Sequence, residues 1–215
     1  MKAPTPPAAE PRSRDADRSQ LAILASARSA MLSMRAPASP RCENSSRAGL
    51  NKRLIYYYFG SKDDLFLAVL ERTYADIREA EQQLHLDEVE PVEAIRRLVS
   101  FTWHYYLEHP EFITLLNSEN LHRAAHLKRS ERIQEMNSPL VALLDGVLER
   151  GRRDKLFRAG VDPVQLYISI ASLCYFYLSN NDTLSAVFGR DLRAPKAMAQ
   201  RLSHMTDLVL GYVLH

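Results

Sequence analysis

Glycine is scarce in this chain. Its 215 residues include seven glycines, where average usage gives about 15 for that length. A turn-rich β sandwich or barrel spends glycine at most of its connections, so the shortage disfavours that class and leaves helices. Cysteine is scarcer still. Cys42 and Cys174 are the two, and they supply neither a zinc-ligand spacing nor a disulfide framework. The expected location is therefore reducing and cytoplasmic. The first residues are rich in Pro and Ala and carry charge without an apolar core, unlike a secretory leader. The most apolar run, Val164 to Leu178, is 15 residues long and contains Gln165. It is too short to cross a bilayer, so no membrane partner is expected. No glycine-rich phosphate loop, nucleophile elbow or zinc motif is present, so neither an enzyme nor a bound cofactor or metal is expected.

What is present is enough apolar material for a core (46% of the chain) and an uneven distribution of charge. Residues 1–60 carry ten Lys and Arg against four Asp and Glu, a local +6. The whole chain has +2, so the remainder holds −4. A basic end on an acidic body is the asymmetry expected when one end meets phosphates.

Along the chain, residues 1–17 carry four prolines and almost no large apolar groups, the composition of a disordered leader. A helix is expected to start near Asp17, with Leu21, Ile23 and Leu24 on its apolar side. In the segment 29–46, Pro37 and Pro40 forbid a continuous helix, and little apolar material follows Met34. From Asn51 a short helix should run to about Tyr58. Ser61-Lys62-Asp63-Asp64 then has the Ser-x-x-acid form of a capping box, opening a helix toward Leu84. Further helices are expected from Pro91 to His109, within 111–127, from about Ser130 to Arg153 with a kink or boundary at Pro139, from Pro163 to Leu178, and from Pro195 onward. That is roughly nine helices and no strand.

The chemistry concentrates at Ala48-Gly49-Leu50-Asn51-Lys52-Arg53-Leu54-Ile55-Tyr56-Tyr57-Tyr58-Phe59-Gly60-Ser61-Lys62. A short helix whose N-terminus carries Asn51, Lys52 and Arg53 has the side chains that major-groove reading requires at the end that enters the groove. Tyr56, Tyr57, Tyr58 and Lys62 sit where hydroxyls and an ammonium would hold phosphate oxygens and fix register. Composition alone equally allows a surface turn with incidental aromatics. The order of the residues resembles the helix-turn-helix signature of the tetracycline-repressor-like (TetR) family, closely over 48–70, and Ile23 to Arg28 resembles that family's first helix. Pro110 to Ile113 and Asn117 to His122 resemble one branch of its C-terminal domains.

The resemblance implies an all-α protein: an N-terminal helix-turn-helix DNA-binding domain (18–63) and a larger helical ligand-binding and dimerisation domain (64–215). By the same resemblance Asn51, Lys52, Arg53, Tyr56, Tyr57, Tyr58 and Lys62 are DNA contacts, with Leu54, Ile55 and Phe59 behind them. The partners implied are a double-stranded, roughly palindromic DNA operator, a second copy docked through the helices near 163–178 and 195–213, and a small-molecule effector. The function implied is a ligand-responsive regulator, expected to repress.

The resemblance breaks between Arg28 and Arg47. The family closes its first helix there with an aromatic residue, turns through Gly, and forms a second helix with an Ile-Ala or Val-Ala pair. None of these is present, yet the spacing from Ile23 to Gly49 is the family's. Matching flanks around an unrelated, Pro-rich interior are what a compensated frameshift leaves; genuine divergence is the alternative. Either way the recognition helix should be poorly braced. The rival function is accordingly a dimeric helical ligand-binding or scaffold protein with a defective DNA-binding module.

For the effector pocket the candidates are Trp103, Tyr106, Phe112, Asn117, Glu119, His122 and Tyr175, which offer apolar walls with a few polar groups. Glu119, His122 and His126 fall at i, i+3 and i+7, a spacing that presents three metal ligands on one helix face. No fourth ligand is evident, so no metal is expected. Cys174 reads as a core residue, and Arg150-Gly151-Arg152-Arg153 as a solvated helix end.

Overall fold

The computed structural model describes residues 20–28 and 52–215; the leader 1–17, the segment 29–46 and Asn51 lie outside them. Residues 20–28 are helical (α1). Then follow α2 (Lys52–Phe59), α3 (Lys62–Gln82), α4 (Pro91–Glu108), α5 (Pro110–Leu121), a 3-10 turn at Leu127–Arg129, α6 (Glu131–Arg153), α7 (Pro163–Ser179), α8 (Asn181–Phe188) and α9 (Pro195–Val213). The extended pairing among the described residues is a single antiparallel bridge, Phe157 with Leu214. Contacts divide the chain into two compact units at Val69/Leu70, a division that falls within α3.

The helix starts follow from local chemistry. Proline stands in the first turn of α4, α5, α7 and α9. There its missing N–H costs nothing and its fixed φ already suits a helix. Among the described residues, side chains cap three starts: Ser61 accepts from the Asp64 N–H at 3.0 Å, Ser130 from Ile133 at 3.3 Å, and Asp162 from Gln165 at 2.7 Å. Each satisfies an N–H that has no partner within the helix. Pro139 does not break α6, which continues through it on an exposed stretch.

In the second unit α4 is central and packs against α5, α6, α7 and α9. Its inward side carries Ile95, Leu98, Val99 and Trp103, which meet Leu144 and Leu148 of α6, Leu166, Ile170 and Cys174 of α7, and Met205 and Val209 of α9. Burying each such side chain stabilises by roughly 1.5–3 kcal/mol.

The end of α6 corrects the sequence expectation in part. Arg152 and Arg153 are exposed, as a solvated helix end requires, but Gly151 is buried and Arg150 acts as a clamp. The Arg150 guanidinium donates to the carbonyls of Leu86 (2.6 Å), Asp87 (2.7 Å) and Val89 (3.0 Å), tying the α3–α4 connection to α6. Gly151 is buried against the Phe157 ring, where a Cβ would lie 2.1 Å from Cδ2. Only glycine fits there without displacing the ring. The second departure is α8, an unexpected helix that lies along the chain between α7 and α9, which themselves pack together.

Candidate functional site

The first candidate surface is α2 with the start of α3. Among the described side chains, Arg53, Tyr56 and Tyr57 fall at i, i+3 and i+4, on one helix face. All three are exposed, Tyr57 to 79%. Tyr58 is half-buried and meets Tyr57 edge-on at 4.9 Å. Of Lys52, Leu54 and Ile55 the helical backbone alone is described.

After α2 the chain turns at Gly60, whose φ of +76° is the left-handed conformation that glycine adopts without strain. The Gly60 N–H closes α2 on the Tyr56 carbonyl at 3.1 Å. The Ser61 hydroxyl then donates to Asp64 Oδ2 at 2.6 Å while accepting from the Asp64 N–H, so α3 begins at a fixed angle with Lys62 exposed in its first turn. Two exposed tyrosines, an arginine and a lysine at the junction of two short-linked helices suit a partner that offers both phosphates and flat base edges.

The second candidate is a cavity of about 360 Å³ between the end of α3, the residues that follow it, and α6. Met136, Pro139, Leu140 and Leu143 form one wall; Arg78, Glu81, Gln82, His85, Asp87 and Glu88 form the other. Arg78 and Glu81 are 6% and 2% exposed, and Arg78 Nη1 lies 3.0 Å from Glu81 Oε2. Arg78 Nη2 also donates to the Tyr167 hydroxyl of α7 at 2.6 Å. Burial pushes the Glu81 carboxyl up to about 7, against the opposing pull of Arg78 and of the Tyr167 hydroxyl. Burial likewise lifts Tyr167 to about 12 and Tyr106 well above the ordinary tyrosine value.

Glu81 therefore makes stability depend on pH. Its carboxyl ordinarily ionises near 4.5, and near 7 in the folded protein. Between those values the folded state holds the extra proton, so stability falls as pH rises through the window and then levels off. The drop is on the order of a few kcal/mol. In chemical denaturation from pH 5 to 8, Glu81→Gln should remove most of that slope. An unchanged slope would show that Glu81 does not carry it.

The seven pocket residues expected from the sequence do not line this cavity. Trp103, Tyr106 and Phe112 are buried in the core; Tyr106 and Phe112 stack at 5.4 Å, and Trp103 tilts against Tyr177 at 5.7 Å. Tyr175 donates to Asn117 Oδ1, and Asn117 also donates to Ser179 at 3.2 Å, a polar seam between α5 and α7. Glu119 is 1% exposed and accepts from the N–H groups of His126 (3.2 Å) and Leu127 (3.1 Å), with His126 Nδ1 2.6 Å away. That carboxylate pins a loop in which Arg123 and Ala124 both take left-handed φ values, 56° and 57°. The His122 ring instead meets the Ser118 carbonyl at 2.8 Å, so Glu119, His122 and His126 do not converge. Among the described residues no group of three His, Cys, Asp or Glu is placed to hold a metal ion. Cys174 is fully buried and its thiol is pushed up to about 12 by that burial, which keeps it protonated and unreactive.

Sequence reasoning did not find Arg78, Glu81 and Tyr167. The signal available was weak: two opposite charges at i, i+3 on a helix read as an exposed pair unless the partner helix is known.

Two family models match the chain. The model for bacterial regulatory proteins of the tetR family matches residues 45–69, and the model for the tetracyclin repressor-like C-terminal domain matches residues 91–209. The HTH-type transcriptional repressor NicS of Pseudomonas putida is 45% identical over 166 residues, covering 77% of this chain and 78% of NicS. The chain belongs to the TetR family. Its fold is that of other TetR-family regulators. A regulator of this family from Agrobacterium tumefaciens superposes with a TM-score of 0.61 at 20% identity, over 93% of this chain and 100% of that one. The regulator FadR of Bacillus subtilis, solved with stearoyl-CoA, superposes with a TM-score of 0.62 at 16% identity, over 91% and 99%. The N-terminal match begins at residue 45, where the anomalous segment 29–46 ends. TetR membership makes the chain a transcriptional regulator, all-helical, with a helix-turn-helix unit at its N-terminal end. Among the described residues no helix is long and apolar enough to cross a membrane.

Proposed function

We propose that this protein is a repressor that acts as a homodimer on a roughly palindromic operator and is released by a small molecule bound in the cavity between α3 and α6. The observation that carries the DNA half is the single exposed face of Arg53, Tyr56 and Tyr57 beside Lys62. In this reading α2 enters the major groove, with Asn51, Lys52 and Arg53 toward base edges and Tyr56, Tyr57, Tyr58 and Lys62 toward phosphates. The assignment of 18–63 to DNA and of 64–215 to effector binding and dimerisation belongs to the same proposal. So does a non-enzymatic, cytoplasmic role.

A second copy is supported by apolar side chains left in solvent. Val164, Ile168 and Phe176 lie four and eight residues apart on α7, exposed to between 43% and 56%, and Leu208 and Tyr212 of α9 are exposed to 47% and 44%. Rows of large apolar groups on two adjacent helices mark an interface. The NicS relative, a transcriptional repressor, supports the sign of the regulation. An effector acts by preferring the conformation that fits DNA less well, which shifts the population away from it.

Sedimentation and footprinting on duplexes selected from a random pool test this reading. The expected result is a dimer protecting two half-sites centred about 34–36 Å apart, one helical turn. A monomer, or protection without dyad symmetry, would overturn it.

A further inference from the structure

The end of α7, α8 and the first half of α9 border a second cavity, of about 490 Å³. It shares no lining residue with the cavity between α3 and α6. Phe176 and Tyr177 of α7, Leu184 and Phe188 of α8, and Leu192 give it apolar walls. Phe176 and Phe188 are 56% and 65% exposed, so apolar surface stands open to solvent there, as in a ligand groove. Phe176 also ends the apolar row on α7, which puts the cavity at the edge of the face read above as the dimer interface. The charged lining is Arg190 and Arg201, with no carboxylate.

Both guanidiniums have capacity to spare. Arg201 is half-buried; its Nη2 donates to the Leu173 carbonyl at 2.8 Å, and the group lies 5.2 Å from the centre of the Tyr177 ring. Its Nε is closed off without a partner, whereas Nη1 is neither bonded nor closed off and is the atom a ligand can reach. Burial pulls the Arg201 guanidinium below the ordinary arginine value, and the groups that oppose this are Cys174 and Tyr177, not an acid. Burial raises both of these as well, so both are protonated at neutral pH and neither cancels the charge. Arg190 is exposed just past α8, and its side chain meets no partner among the described residues. The acids of this stretch are already engaged by Arg193: Asp182 pairs with its guanidinium at 2.8 Å, and Asp191 accepts its backbone N–H at 2.9 Å. Residues 181–201 thus carry four Lys and Arg against two Asp, a local +2 on a body (61–215) that carries −4.

A charge taken out of water without a counter-charge is costly, and the walls decide what can supply one. A cation meets both guanidiniums. A neutral molecule covers the aromatic rings but leaves the arginines unbalanced. A bare inorganic anion balances the arginines but leaves the rings in water. An anion attached to an apolar body satisfies both, and the planar fork of arginine matches a carboxylate in particular. The volume lies within the range of ligand pockets, roughly 300–1,000 Å³.

We propose that the α7–α8–α9 cavity is a second ligand site, which takes a small carboxylate with an apolar body: the carboxylate on Arg190 and Arg201 Nη1, the body against Phe176, Phe188 and Leu184. It is separate from the effector cavity between α3 and α6 and differs from it in charge.

The test uses the full chain labelled at its leucine and methionine methyls, with signals assigned through Leu184→Ile, Leu192→Ile and Met136→Leu. Four probes are titrated: cyclohexanecarboxylate, cyclohexanecarboxamide, cyclohexylamine and inorganic phosphate. The carboxylate should shift Leu184 and Leu192 and bind at least about tenfold more tightly than the other three. Arg190→Glu, a surface change, should weaken it at least about tenfold with an unaltered urea midpoint, and Arg201→Gln should weaken it further; Arg190→Glu decides the matter if Arg201→Gln fails to fold. Equal or tighter binding of the carboxamide or of phosphate would overturn the ligand class. A shift of Met136 without Leu184 and Leu192 would overturn the location. No shift with any probe, or an affinity for the carboxylate unmoved by Arg190→Glu, would overturn the site.

Discussion

Replacing residues 29–46 with a segment that can form the family's missing helix and turn should strengthen operator binding by at least about 100-fold. The reason lies in the sequence. A recognition helix of eight residues is too short to be stable alone, since isolated helices below about 12–15 residues are marginal in water. It depends on neighbours that bury apolar side chains against it. The segment 29–46 offers Pro37, Pro40 and a run of Ser and Arg where such neighbours are expected. A proline inside a helix costs about 3 kcal/mol, and each large apolar side chain not buried forfeits roughly 1.5–3 kcal/mol. Two such losses reduce the binding-competent fraction by about 100-fold or more, and apparent affinity falls in proportion. Fluorescence titration of both chains against one selected duplex measures the ratio. Equal tight binding would show that the present segment braces α2 by other means and that it is genuine divergence.

Trp103→Ala should cost about 3–5 kcal/mol of stability, the range for removing a large aromatic from a core. Trp103 is 2% exposed, sits on the central helix α4, and packs on Tyr177 of α7. Removing it opens a cavity where α4 and α7 meet, and a loss of that size is a large share of a typical domain's 5–15 kcal/mol. Urea denaturation gives the value directly. A loss below about 1 kcal/mol would mean that the surroundings collapse freely or that the ring lines space reserved for a ligand.

The parts of the fold governed by local chemistry were legible in the sequence. Pro91, Pro163 and Pro195 opened helices as expected, Pro110, read only as a stop, opens α5 as well, and Ser61 to Asp64 formed the cap that their spacing implies. The short helix α8 was missed, because eight residues opening on Asn-Asp-Thr are shorter than the window over which helical spacing can be counted. What decides the cavity was not legible at all. Arg78 meets Tyr167 across 89 positions, and Arg150 reaches carbonyls 61 to 64 positions away. Side chains that look solvated in the sequence become interior groups once helices distant along the chain pack together. Glu119 shows the same point on a shorter scale: its partners lie seven and eight positions on, beyond the end of α5, where helical spacing no longer applies. The exposed face of Arg53, Tyr56 and Tyr57 with Lys62 was legible because its arrangement is local, a face of one helix and the first turn of the next.

The most direct test of the central claim, that this face reads DNA, is the salt dependence of binding by the chain and by its Arg53→Ala and Lys62→Ala variants. Lys62→Ala should weaken all duplexes alike and make the slope of log K against log salt shallower by about 0.9, one phosphate contact. Arg53→Ala should cost about 1–3 kcal/mol and relax selectivity at one base position. Unchanged affinity, slope and selectivity in both variants would contradict the account.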